Sequence, residues 1–150
     1  MELKERIASD LKLALKSGDN FKLGVLRFLS AAIHNREIDA KAKSGSGTLS
    51  EEEVQKVLLA EAKKRKEAIE IYLSGGRGDL AEKEACELQE IRVYLPKELS
   101  PEEIEKKVRE IAGRVGSKDF GAVMKAVMAE LRGQADAKFA SEIVRRIIGQ

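Results

Sequence analysis

The chain predicts an all-α protein, a four-helix array over residues 1–95 followed by a small three-helix domain over 96–150. Three observations carry this. Apolar residues recur at three- and four-residue steps over most of the chain, the signature of helices that bury one face. Charged residues make up 36% of the sequence and aromatics only 4%, with no Trp and two Pro, a profile of packed helices and not of a sheet. Helix-starting and helix-breaking residues fall in a few clusters that divide the periodic stretches. At 150 residues there is room for one ordinary domain or two small ones.

Taken in order, Leu3, Ile7, Leu11 and Leu15 mark a first amphipathic helix that stops at Gly18, with Asp19 or Asn20 set to cap the next. The second helix carries Leu23, Leu26, Leu29 and Ile33 and is expected to fade near Lys41, before the flexible run Lys43-Ser44-Gly45-Ser46-Gly47-Thr48. Ser50 with Glu53 is a capping-box pattern for a third, highly charged helix that runs to about Leu73. Gly75-Gly76-Arg77-Gly78 breaks it, and Asp79 is the expected cap of a fourth helix with Leu80, Leu88 and Ile91 inward. Pro96 disfavours helical geometry at Leu95 and marks the boundary. Ser100-Pro101-Glu102-Glu103 then supplies a cap, a first-turn proline and an acid at the third helical position. Ile104, Val108, Ile111 and Val115 give the fifth helix its face. Lys118-Asp119 opens the sixth, with Phe120, Val123, Met124, Val127 and Leu131, and Asp136 opens the seventh, with Phe139, Ile143, Val144, Ile147 and Ile148.

Charge is nearly balanced, 28 Lys plus Arg against 26 Asp plus Glu, so the sum announces no polyanionic partner. The distribution says more: residues 1–95 carry equal numbers of each sign, and the whole surplus lies after Pro96. One cysteine, Cys86, and one histidine, His34, exclude an internal disulfide and the common Cys/His zinc sites; no metal and no cofactor are expected. The N-terminus lacks the apolar core of a signal peptide, and no run approaches a membrane span, so the expected location is the cytoplasm and no membrane partner is expected.

Few residues suggest chemistry. His34 lies beside its apolar stripe and reads as solvated, and Cys86 lies opposite the apolar side of its helix with no base nearby in sequence. Gly75-Gly76-Arg77-Gly78 lacks the Lys-Ser/Thr ending and the preceding strand of a phosphate loop, and reads as a turn. Glu37, Glu61, Arg65 and Glu84 are charges set on apolar seams, where they must be paired or half-buried. They form either an ion-pair network between helices or a polar cleft for a ligand, and no nucleophile or metal set turns that cleft into an active site. Lys63-Lys64-Arg65-Lys66 points in four directions on a helix and is a solvated face. In the tail, Lys118, Lys125 and Arg132 recur every seven residues on one flank, and Lys138 and Arg145 share the exposed side of the last helix. Such ridges suit phosphate contacts.

The segments Leu26-Arg27-Phe28-Leu29-Ser30-Ala31-Ala32-Ile33-His34-Asn35-Arg36-Glu37-Ile38, Gly76-Arg77-Gly78-Asp79-Leu80, Tyr94-Leu95-Pro96, Gly121-Ala122-Val123-Met124-Lys125 and Gly133-Gln134-Ala135-Asp136 occur in an order that resembles YqeY-like proteins. The likeness spans nearly the whole chain, and its tail module is similar to that of GatB, a subunit of the tRNA-dependent amidotransferase acting on misacylated Glu-tRNA or Asp-tRNA. The resemblance implies a two-part helical fold and recognition of tRNA. It also brings a carbon–nitrogen ligase label with glutamine as amido donor, which belongs to the full enzyme. Two positions depart from the family pattern: Gln134 stands where Arg or Lys is usual, and Ala137 where Gly is common.

The leading expectation is a non-catalytic accessory protein that binds tRNA or another structured RNA. Lys118, Lys125, Arg132, Lys138 and Arg145 would meet the backbone, with Gln134 as a hydrogen-bonding contact. One rival is a scaffold docking on an amidotransferase or aminoacyl-tRNA synthetase through an apolar patch of the N-terminal helices. The other is amide transfer itself.

Overall fold

Local signals set most helix ends. The computed structural model describes residues 1–149 and contains, among them, seven α-helices and no strand: α1 (Leu3–Ser17), α2 (Asn20–Ser44), α3 (Glu51–Ser74), α4 (Gly78–Arg92), α5 (Pro101–Val115), α6 (Phe120–Leu131) and α7 (Ala137–Ile148). The Asp19 carboxylate accepts the Lys22 N–H and starts α2. Ser50 Oγ accepts the Glu53 N–H at 3.1 Å while Glu53 accepts the Ser50 N–H at 2.8 Å, so two of the orphan donors at the start of α3 are satisfied reciprocally. Ser100 and Glu103 repeat that exchange at α5, where Pro101 occupies the first helical position. Gly18 ends α1 at φ 75°, a left-handed conformation that costs a Cβ-bearing residue and little for glycine.

Two boundaries differ from expectation. α2 runs to Ser44, one turn past Lys41, because Lys41 and Lys43 suit a helix C-terminus and Gly45 closes it at φ 79°. α4 begins at Gly78 with Arg77 at the cap position; Asp79 lies in the first turn and is bound to the Arg77 guanidinium at 3.2 Å, which, with the backbone N–H groups there, holds its carboxyl below the usual range. Leu80 is only half-buried, and Ala81 takes the inward position beside Leu88 and Ile91.

By their contacts the helices form two compact units, one from Met1 to Leu95 and one starting at Pro96. In the first, α1 packs on α2 and α3 on α4. Ile7, Leu26, Leu29, Ile33, Leu58 and Ile91 are fully buried at its centre. Each such side chain contributes roughly 1.5–3 kcal/mol relative to exposure. Leu3, at the start of α1, donates its N–H to Glu51 Oε1 at 3.0 Å, tying the first turn of α1 to the first turn of α3. At the end of α4, the Tyr94 hydroxyl donates to Asp10 of α1, and Arg6 lies 5.2 Å from the centre of the Tyr94 ring. In the second unit α5, α6 and α7 each touch the other two. Val108, Ile111, Val123, Val127, Leu131 and Val144 fill the space between them.

Candidate functional site

One seam of the first unit concentrates charge. On α3, Glu61 and Arg65 stand one turn apart on the face that also buries Leu58 and Ala62, and Glu61 is only 5% exposed. A carboxylate there must be paired. Arg65 Nη1 lies 3.2 Å from Glu61 Oε2, and Lys64 Nζ lies 3.2 Å from Glu61 Oε1. Across the seam Arg65 Nε faces Glu87 at 3.4 Å and Glu84 at 3.7 Å on α4. The guanidinium also stacks 4.6 Å from the centre of the Phe28 ring on α2. One side chain therefore joins three helices.

Of the four seam charges expected from the sequence, Glu61, Arg65 and Glu84 come together. Glu37 does not: it pairs with Lys4 of α1 at 2.9 Å, on another face of α2. Glu87 was missed, although it follows Glu84 by three residues and so shares its helix face. The Arg65 Nε–H is buried and lacks an aligned acceptor, so the α4 carboxylates hold it by charge more than by hydrogen-bond geometry. Each of the three carboxylates, Glu61, Glu84 and Glu87, thus faces the Arg65 guanidinium within 4 Å. His34 and Cys86 are exposed on the surface. Among the described residues, no three His, Cys, Asp or Glu side chains are grouped so as to hold a metal ion.

Beside this network, α2 from Phe28 to Asp39 and α3 from Glu53 to Lys64 line a groove of about 560 Å³. Sequence periodicity did not reveal it, because it belongs to neither helix alone.

The basic residues of the second unit are arranged less simply than a seven-residue ridge. Lys118 precedes the cap Asp119, Lys125 lies within α6, and Arg132 is the residue after it, with extended ψ of 126° and a half-buried side chain. Lys118, Lys125 and Lys138 are exposed, and none has an ion-pair partner among the described residues. Arg145 is exposed on α7, its guanidinium 5.2 Å from the centre of the Phe120 ring. Gln134 is half-buried in the α6–α7 turn, where its carbonyl accepts the Leu99 N–H at 2.8 Å and Gly133 takes φ 78°. The turn is thus pinned from the segment preceding α5.

Other cations of this unit are engaged with acids. Arg146 and Arg109 both meet Glu105, at 2.7 and 3.2 Å, and Arg114 meets Glu130. Lys106 and Lys107 are exposed on α5, opposite buried Ile104, Val108 and Ile111. Their adjacency to acids in sequence hid them from a search for basic ridges.

No helix among the described residues is long and apolar enough to cross a membrane. In comparisons with known proteins, the chain is 34% identical over 128 residues to "Altered inheritance of mitochondria protein 41, mitochondrial" of Vanderwaltozyma polyspora, covering 83% of this chain and 66% of that protein. The protein of the same name from Eremothecium gossypii is 35% identical over 89 residues, 59% of this chain and 46% of its own length. That of Pyrenophora tritici-repentis is 27% identical over 150 residues, 96% of this chain and 80% of its own. The chain thus spans from about half to two thirds of the first two relatives and more of the third. The YqeY-like protein family matches residues 4–148, almost the entire sequence, and the chain belongs to that family.

Proposed function

We propose that this protein is a non-catalytic accessory factor that binds tRNA or another structured RNA through its C-terminal helices. The observation that carries the reading is the contrast among cations of the second unit: Lys118, Lys125 and Lys138 are exposed and not ion-paired, whereas Arg109, Arg114 and Arg146 are closed by glutamates. A lysine with no carboxylate to displace gains the full benefit of a phosphate and of the counterion it releases. Arg145, steadied on Phe120, and Arg132, beside the turn, would add backbone contacts, with the Gln134 amide as a hydrogen-bonding group. Phe120 and Phe139 are half-buried, which favours shape and phosphate recognition over base stacking. The balance of charge within the first unit and the surplus after Pro96 agree with this assignment. A reducing aqueous compartment, the cytoplasm in this reading, suits the exposed thiol of Cys86.

The test is a tRNA titration of the full chain over a salt series. Binding is expected at low salt, with log K falling linearly against log salt. Replacing Lys118, Lys125 and Lys138 together by Glu should lower that slope by about 2 to 3. Absence of binding at low salt, or an unchanged slope in the triple variant, refutes the reading.

A further inference from the structure

The ion pairs of the second unit sort its helix faces. On α6, Glu130 meets Arg114 of α5, so the flank that carries Glu130 and Ala126 turns towards α5. The opposite flank carries Met124 and Met128, both half-buried, and Lys125 stands beyond them on the exposed shoulder. On α7, Arg146 meets Glu105 of α5, and half-buried Phe139 lies on that same flank. The other flank, with Lys138, Ser141 and Arg145, turns towards α6, and the Arg145 guanidinium stacks on Phe120 at the start of α6. The end of α7 therefore lies beside the beginning of α6, and the two helices run antiparallel. Lys125, Lys138 and Arg145 border one outer face of this pair, away from α5.

That arrangement selects among forms of RNA. The cations stand in two rows on facing helices: Lys138 and Arg145 are about 10 Å apart along α7, and Lys125 lies across from them by the roughly 8–10 Å between packed helices. The acids of the hairpin leave this face open. Glu130 is taken by Arg114, Asp119 and Asp136 sit at the helix starts, and Glu142 lies on the rim away from α6. Between the rows lie Gly121, Met124, Met128 and Ser141, small or half-buried, so the floor is shallow. Ser141 donates its hydroxyl proton to the Lys138 carbonyl at 2.7 Å, which leaves the oxygen free to accept. The two aromatics after Pro96 offer no platform here, since Arg145 covers Phe120 and Phe139 turns to α5. A single strand, which depends on stacking, finds little to hold. We propose that this face takes a double-helical RNA stem across its wide, shallow minor groove, with Lys125 on one strand's phosphates and Lys138 and Arg145 on the other's. Ser141 then faces the 2′-hydroxyls, which DNA lacks, and no floor residue is built to enter the narrower groove of a DNA duplex. The inference rests on the RNA reading above and names the form of RNA that the face accepts.

The probes are a labelled RNA hairpin with a stem of about ten base pairs, an unpaired RNA strand of equal length, and the DNA hairpin of the same sequence. Each is titrated with the full chain at one low salt concentration and then over a salt series. The RNA stem should bind at least about tenfold more tightly than the unpaired strand, and more tightly than the DNA hairpin. On the stem, Lys125→Ala should lower the salt slope by about 1, and Lys138→Ala with Arg145→Ala by about 2, in proteins whose helical spectrum is unchanged. Lys106→Ala, on the exposed side of α5, should leave that slope as it is. No binding to either RNA refutes the RNA reading itself. Equal binding of stem and strand, DNA bound as well as the RNA stem, or a slope that responds to one row alone overturns this inference and leaves that reading standing.

Discussion

The two units use charge in opposite ways. In the first, ionic groups enter the interior: Glu61 and Arg65 lie on the seam of α3, and Glu84 and Glu87 come from α4 to meet them. In the second, the core is wholly apolar among the described residues, and charge stays outside. The difference teaches where a partner can act. A buried ion pair has exchanged water for a fixed protein partner, so it specifies how helices meet and has little left for a ligand. A surface lysine remains hydrated and mobile, contributes little to stability, and keeps its charge available.

The strongest way to break this comparison is Arg65→Ala. The Arg65 side chain is 13% exposed and that of Glu61 is 7% exposed, so the substitution leaves a buried carboxylate with only the largely exposed Lys64 against it. A loss of about 3–5 kcal/mol is expected in chemical denaturation. The double change Glu61→Leu with Arg65→Met removes both charges and should recover most of that loss. A cost near zero for Arg65→Ala would mean that the network is solvated and that the two units do not differ in kind. Charge removal at Lys118 or Lys125, by contrast, should leave stability within about 0.5 kcal/mol.

A smaller effect sharpens the comparison by testing a device the units share. Ser50 and Ser100 cap α3 and α5 with the same reciprocal bonds to a glutamate three residues on. Ser50→Ala and Ser100→Ala should each cost about 1 kcal/mol, read from the denaturation midpoint at constant m-value. A much larger loss at either site would show that the helix end carries tertiary contacts beyond its cap.

Those caps show what was legible in the chain. Ser50-Glu53 and Ser100-Pro101-Glu103 act over three residues, and a single sequence displays such local chemistry in full. Glu61 with Arg65 was equally readable, since four residues are one helical turn. The Glu37–Lys4 pair spans 33 positions and the Tyr94–Asp10 bond 84, and no periodicity encodes which helix faces meet. Arg132 was assigned to the ridge of Lys118 and Lys125 by counting sevens. Counting sevens does not show that α6 ends at Leu131 and that Arg132 is the residue after it, with ψ of 126°. The groove between α2 and α3 was invisible for the same reason as the long-range pairs.

The finest discrimination comes from alkaline pH. Both tyrosines lie before Pro96, so a phenol-dependent loss of stability can arise only in the first unit. Tyr94 is 5% exposed, and burial, reinforced by its bond to Asp10, raises its pKa well above the ordinary value near 10. The folded state thus keeps its proton where the unfolded chain releases it. By linkage, the stabilisation is fully present below pH 10 and is lost progressively as pH rises from there towards the folded pKa. Denaturation midpoints of the full chain measured from pH 8 to 11.5 should fall more steeply above pH 10 than those of Tyr94→Phe, which keeps Tyr72 but has no phenol to ionise at the buried position. At pH 8 that variant should itself be destabilised by roughly 0.5–1.5 kcal/mol, because Asp10 loses a donor in a half-buried site. Parallel curves for the two proteins would mean that Tyr94 ionises alike in the folded and unfolded states, and that the hydroxyl is not enclosed between α1 and the end of α4.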